Sequence, residues 1–123
     1  MALRQPTHPE LVEALAKPGE DILASLTPEK CHLWHMASCI PGEGGELFDA
    51  VKRYVIYGKE LDLDNVIEEL GDLEFYLEGL RSSLGISREH TLQMNIQKLS
   101  KRYESMKYSD QAAQERADKQ EGR

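Results

Sequence analysis

Only two cysteines occur among the 123 residues, Cys31 and Cys39, eight positions apart. On one helix that separation is about 12 Å, beyond the reach of a disulfide, so both are expected as reduced thiols. No segment approaches the roughly 20 apolar residues of a membrane span, and the stretch from Met1 to Pro6 lacks the apolar run of a secretory leader. A cytoplasmic chain without membrane contact is the expectation. Basic runs are missing as well. With a formal net charge of -7, the chain is no candidate for gripping a nucleic-acid backbone, which is held mostly by Lys and Arg; an anionic ligand would need bridging cations or a local basic cluster. Neither a glycine-rich phosphate loop nor a Ser-His-Asp arrangement occurs. Strand-like alternation and internal repeats are also absent, which leaves helices.

Helical signals run the length of the chain. Pro9 to Lys17 has the pattern of a short helix with Leu11, Val12 and Leu15 on one side, ended by Pro18 and Gly19, and Glu20 to Leu26 adds a turn or two. Thr27, Pro28 and Glu29 supply an N-cap hydroxyl, a first-position proline and a first-turn acid. The helix they start should bury Leu33, Met36, Ala37 and Ile40 and should break or kink at Pro41-Gly42. From Glu43 to Tyr57, Leu47, Ala50, Val51 and Tyr54 form a stripe, with Gly58 as a stop. The short link from Lys59 to Asp64 returns the chain antiparallel. Leu63, Val66, Leu70, Leu73, Leu77, Leu80 and Leu84 then alternate steps of three and four, the mark of a core-facing helix, up to Gly85. A last helix from Ser87 should bury Leu92, Ile96, Leu99 and Tyr103. The expected fold class is all-α, an antiparallel bundle of four to five helices with an extra N-terminal helix. Its organisation would be an extension over 1–26, a catalytic bundle over 27–106 and a C-terminal segment over 107–123, frayed tail or lid.

Two acid pairs stand out. Glu43 and Glu46, and again Glu69 and Asp72, are three residues apart and so share a helix face. Both pairs border the apolar stripes, on helices joined by a short link. Four carboxylates held together repel and resist ionisation, so the arrangement makes physical sense when cations sit among them. Hard oxygen ligands select Mg²⁺, with Mn²⁺ as a substitute. Arg53 lies on the side of the first pair and Tyr76 on the arc of the second. On the last helix Asn95, Lys98 and Arg102 share an arc. Acids, cations and an aromatic thus ring one rim, which suits metal-assisted phosphoryl chemistry.

Plainer readings compete. An isolated acid pair is ordinarily a solvated helix face, and Glu68, Glu74 and Glu78 are expected to be just that. Glu29 and His32 form a single Glu-x-x-His, whereas a di-iron bundle needs two on different helices. His32 and His35 suit partly buried helix positions, and Trp34 suits a core.

The segments Glu43-Gly-Gly-Glu46-Leu, Lys52-Arg53, Glu69-Leu-Gly-Asp72, Asn95-Ile-Gln-Lys98-Leu and Lys101-Arg102-Tyr103 closely resemble the MazG-like nucleotide pyrophosphohydrolases of the all-α NTP pyrophosphatase superfamily, over roughly residues 30 to 119. The resemblance implies hydrolysis of a nucleoside triphosphate between its α- and β-phosphates. It implies Mg²⁺ on Glu43, Glu46, Glu69 and Asp72; among these acids, whose spacing does not separate ligand from base, Glu46 is taken as the general base. Lys98, Arg102 and Tyr103 would contact phosphates, Asn95 and Tyr76 would position sugar or phosphate, and His32, Trp34 and His35 would face the base. A homodimer or homotetramer is implied too. A dUTP- or dCTP-specific hydrolase on the same scaffold, or a non-catalytic metal-binding regulator, are the alternatives.

Overall fold

Thr27 accepts a hydrogen bond from the Lys30 amide and Pro28 takes the first helical position, and together they start the longest helix of the chain. In the computed structural model, which describes residues 3–120, the elements follow in the order α1 (His8–Leu15), α2 (Gly19–Ser25), α3 (Pro28–Val55), α4 (Leu63–Leu84), α5 (Arg88–Arg102) and α6 (Asp110–Glu115), then a 3₁₀ turn, Ala117–Lys119. No strand occurs among the described residues. The architecture is the expected all-α one.

Of the break or kink expected at Pro41, the break does not occur: the proline lies inside one helix, α3, of 28 residues. A proline in a helix interior forfeits one backbone bond and costs ~3 kcal/mol. Here packing on α4 holds the helix on both sides, through buried Met36 before the proline and buried Ala50 after it. The consequence is positional: Glu43 and Glu46 are carried in the middle of a continuous helix rather than on the first turn of a new one.

The α3–α4 connection is built as its residues dictate. Gly58 adopts φ +65°, and the Lys59 amide donates to the Arg53 carbonyl at 3.2 Å, so the helix end is closed by a left-handed residue. Asp62 then caps α4 through the Asn65 amide. The two helices return antiparallel and pack along their lengths. Gly79 faces Met36 so closely that an added methyl would strike the Met36 sulfur, which makes a small residue the condition for close approach there. At the far end Gly85, φ +67°, with the Ile86 amide on the Arg81 carbonyl, closes α4 in the same way.

The seam differs from the expected core. Val66, Leu73, Leu77 and Leu80 are half-buried against α3, while Leu63, Leu70 and Leu84 stay exposed. On α5, Leu92, Ile96 and Leu99 are likewise exposed, and of the residues expected to be buried there Tyr103, which caps the helix, is half-buried. Among the described residues α5 packs on α6 and the 3₁₀ turn, without extensive packing on α3 or α4. Between Met106 and Gln120 the chain is ordered by local structure: Ser109 caps α6, and Arg102 anchors the segment through Asp118. The accessible surface is 10365 Å². A compact monomer of 14.0 kDa exposes about 6,700 Å², so roughly 3,700 Å² more lies open than one closed globule would leave.

Candidate metal centre

Glu43 and Glu46 stand one turn apart on α3, and Glu69 and Asp72 one turn apart on α4. The antiparallel seam brings the pairs face to face. One carboxylate oxygen from each of the four residues lies within 4.8 Å of the other three. The acids differ in exposure: Glu69 is buried, Glu43 half-buried, Glu46 and Asp72 exposed. The Oε2 atoms of Glu43 and Glu69 are buried with no hydrogen-bond partner, a costly state for a carboxylate oxygen unless something else satisfies it. A divalent cation among the four fits that deficit, and an all-oxygen donor set matches a hard ion.

The electrostatics follow from this crowding. Burial, then hydrogen bonding and charge from Glu46 and Glu43, push the Glu69 carboxyl up to about 7. Glu43 is raised by burial and by the charges of Glu46 and Asp72. Folded Glu69 thus keeps a proton that the unfolded chain loses near 4.5. The folded state binds more protons across that interval, so the metal-free protein is expected to lose stability as pH rises from 4.5 to about 7 and to level off above it. Chemical denaturation with chelator present, repeated across this range, checks the slope, and saturating Mg²⁺ should abolish it. A metal-free stability that climbs between pH 5 and 7 would refute this account of the cluster.

Beside the acids a second group gathers. The Tyr76 ring meets His35 edge-on at 6.2 Å and Phe75 at 5.1 Å, and His35 Nδ1 lies 3.8 Å from Cys39 Sγ. The Tyr76 hydroxyl is held above its ordinary value, first by its hydrogen bond with Cys39. Spacing offers a signal for this: Cys39 is four residues before Glu43 and Tyr76 four after Asp72, so each continues an acid face by one turn. Trp34, expected in the core, is 75% exposed, and His32 and His35 are exposed rather than partly buried. The reason is shared: Met36 and Leu33 take the seam, which turns these neighbours outward. Glu68, Glu74 and Glu78 are solvent-facing, as expected.

The remaining predicted residues lie elsewhere. Arg53 is 3.9 Å from Asp49 and lines a cavity of about 210 Å³ with Lys59 and Asp62. Asn95 and Lys98 line a cavity of about 610 Å³ walled by α5 and the 3₁₀ turn, with none of the four acids on its wall. Tyr103 stacks at a tilt on Tyr108 beside an apolar cavity of about 340 Å³. Arg102 donates from Nε to Asp118 Oδ1 at 2.9 Å. Within the single chain, then, the four acids converge and the cationic set assembles separately on α5. Asp118, sixteen residues beyond Arg102, has no local sequence signal that would mark it as a partner.

No helix of the described residues is long and apolar enough to cross a membrane. Residues 33–106, which hold all four acids together with Asn95, Lys98, Arg102 and Tyr103, match the sequence model of the MazG nucleotide pyrophosphohydrolase domain. No curated protein and no solved structure matches the chain.

Proposed function

Because that match spans more than half of its length, the chain belongs to the MazG nucleotide pyrophosphohydrolase domain family, and from this premise we propose that it hydrolyses nucleoside triphosphates to monophosphate and pyrophosphate in a Mg²⁺-dependent reaction, in the cytoplasm, tuning or cleaning a nucleotide pool. The observation that carries the reading is the convergence of four carboxylates around two buried, unpartnered oxygens. Residues 27–106 form the catalytic unit in this reading and 1–26 an extension.

Glu43, Glu69 and Asp72 would hold the cation. Bound there, Mg²⁺, or Mn²⁺ in its place, offsets phosphate charge and polarises the attacking water. Glu46, exposed among the four acids, takes the proton from that water. Oxygen bonds to the α-phosphorus, the bridge to the β-phosphate breaks, and pyrophosphate leaves with the electron pair. Tyr76 flanks the acids and orients sugar or phosphate, and His35 and His32 border the base. Trp34, being exposed, offers a ring for stacking. Lys98, Asn95 and Tyr103 meet the polyphosphate, and Arg53 neutralises charge at the α3 end.

The acids and the α5 cations belong to separate parts of one chain, and roughly 3,700 Å² of surplus surface awaits cover. Obligate interfaces bury about 2,000–5,000 Å² or more summed over both partners, and two copies bring roughly 7,400 Å² of such surplus between them, enough for one or two interfaces. Leu63, Ile67 and Leu70, exposed at successive turns of α4, form one strip that a second copy can cover. A homodimer, or a homotetramer built from two such dimers, in which α5 of one chain approaches the acids of another, fits both observations.

The test is a panel of ribo- and deoxyribonucleoside triphosphates incubated with protein and Mg²⁺, with products separated by chromatography. At least one should yield monophosphate and pyrophosphate in equal amounts, and chelation should stop it. Uptake of Mg²⁺ with no turnover of any triphosphate would make the chain a metal-binding regulator instead.

A further inference from the structure

We propose that the C-terminal segment is a working part of a polyphosphate-binding cradle, with Lys119 as a ligand-contacting residue and Asp118 as the positioning residue that seats it. Three lysines, Lys98 and Lys101 from α5 and Lys119 from the 3₁₀ turn, line one cavity of about 610 Å³, within the size range of small-molecule sites. Asn95 and Thr91 add polar groups to the same wall. Among the described residues the one acid on it is Asp118, whose charge is met by Arg102 through Nε at 2.9 Å and Nη2 at 3.4 Å. On a chain of net charge -7 such a concentration of cations is the local exception, and it favours a multiply charged anion.

Order at this place is built in. The side chains of Asp118 and Arg102 are 6% and 16% exposed, so the pair is a shielded two-point clamp rather than a surface contact. Two left-handed residues, Met106 and Arg116, turn the chain back towards α5, and the Gln120 amide side chain donates to the Glu115 carbonyl at 2.6 Å. The clamp leaves the neighbouring Lys119 ammonium 42% exposed and 4.0 Å from Asp118, loosely held and open to the cavity. Arg102 thereby acts through the segment it fastens. The segment lies beyond the family match, which ends at residue 106.

This inference rests on the reading of the chain as a triphosphate hydrolase for its biological ligand, while its test does not. Inorganic tripolyphosphate, without metal, is titrated calorimetrically into the full-length protein and into Lys119→Met and Asp118→Asn variants. The wild type should take up the anion. Lys119→Met should weaken uptake about tenfold, as expected for loss of a charge-assisted contact, with thermal unfolding unchanged, and Lys119→Arg should restore it. Asp118→Asn should weaken uptake as well, and Asp118→Glu should recover part of it. In turnover, Lys119→Met should raise KM about tenfold at constant kcat. Tripolyphosphate binding by Lys119→Met equal to wild type, or no uptake by the wild type, overturns the proposal. A wild type that binds tripolyphosphate and cleaves no nucleotide overturns the hydrolase reading and leaves the cradle standing.

Discussion

Glu69→Gln is expected to lower pyrophosphate release by about 10²–10⁴-fold while leaving the metal-free fold as stable as the wild type or more so. Both halves follow from one geometry. Glu69 is the buried member of the four acids, and its Oε2 has no partner in the chain. The amide keeps the shape and removes the charge that the cluster resists, so the apo protein is relieved of repulsion from Glu43 and Glu46. The same change removes a ligand oxygen, so the rise in melting temperature on adding Mg²⁺ should shrink or vanish. Glu46→Gln should separate from it: turnover falls by a similar factor, but Mg²⁺ with a non-hydrolysable triphosphate is still taken up, because Glu43, Glu69 and Asp72 remain. Differential scanning calorimetry with and without Mg²⁺, paired with a pyrophosphate assay, reads all of these. Unchanged turnover in Glu46→Gln would remove it from the role of base. A Glu69→Gln protein that unfolds more easily without metal would mean that the charge is compensated by something other than a cation.

Mixing two inactive variants should restore activity. If the acids of one chain work with the α5 cations of another, Glu69→Gln and Lys98→Met chains, each feeble alone, will form mixed dimers in which one of the two sites carries neither substitution. Random reassortment makes half of the dimers mixed, so about a quarter of wild-type activity should return. Refolding equal amounts of the two chains together and measuring monophosphate production tests this. A mixture no more active than its components would mean that each chain builds its own site, with α5 folding back on its own α3 and α4. The surplus surface makes the first outcome the expected one: α5 leaves Leu92, Ile96 and Leu99 exposed, and α4 leaves Leu63, Ile67 and Leu70 exposed, apolar area that a soluble chain ordinarily covers.

Much of this was legible before any coordinates, because it is local. Thr27-Pro28 and Ser87 mark helix starts by hydrogen bonds to amides three residues on, and Gly58 and Gly85 mark stops by their left-handed backbone. The pairing of Glu43 and Glu46 with Glu69 and Asp72 needed only helical arcs and a link too short for anything but an antiparallel return. Pro41 signalled a break that does not occur: the local cost of an interior proline is real, yet the helix continues through it with Met36 and Ala50 buried on either side. Trp34 misled for the complementary reason: an aromatic favours burial, but the neighbouring Leu33 and Met36 hold the seam. The leucine periodicity of α4 correctly marked an apolar helix and overstated what the single chain buries, since Leu63, Leu70 and Leu84 stay exposed. The Arg102–Asp118 clamp was beyond reach, as a contact across sixteen residues carries no periodic signature.

The central claim is that water attacks the α-phosphorus at the four converging acids. The most direct measurement is turnover of a preferred triphosphate with Mg²⁺ in ¹⁸O-labelled water, followed by mass spectrometry of both products. One labelled oxygen in the monophosphate and none in the pyrophosphate is the predicted result, lost together with turnover in Glu69→Gln. Label in the pyrophosphate, or release of orthophosphate in its place, would contradict it.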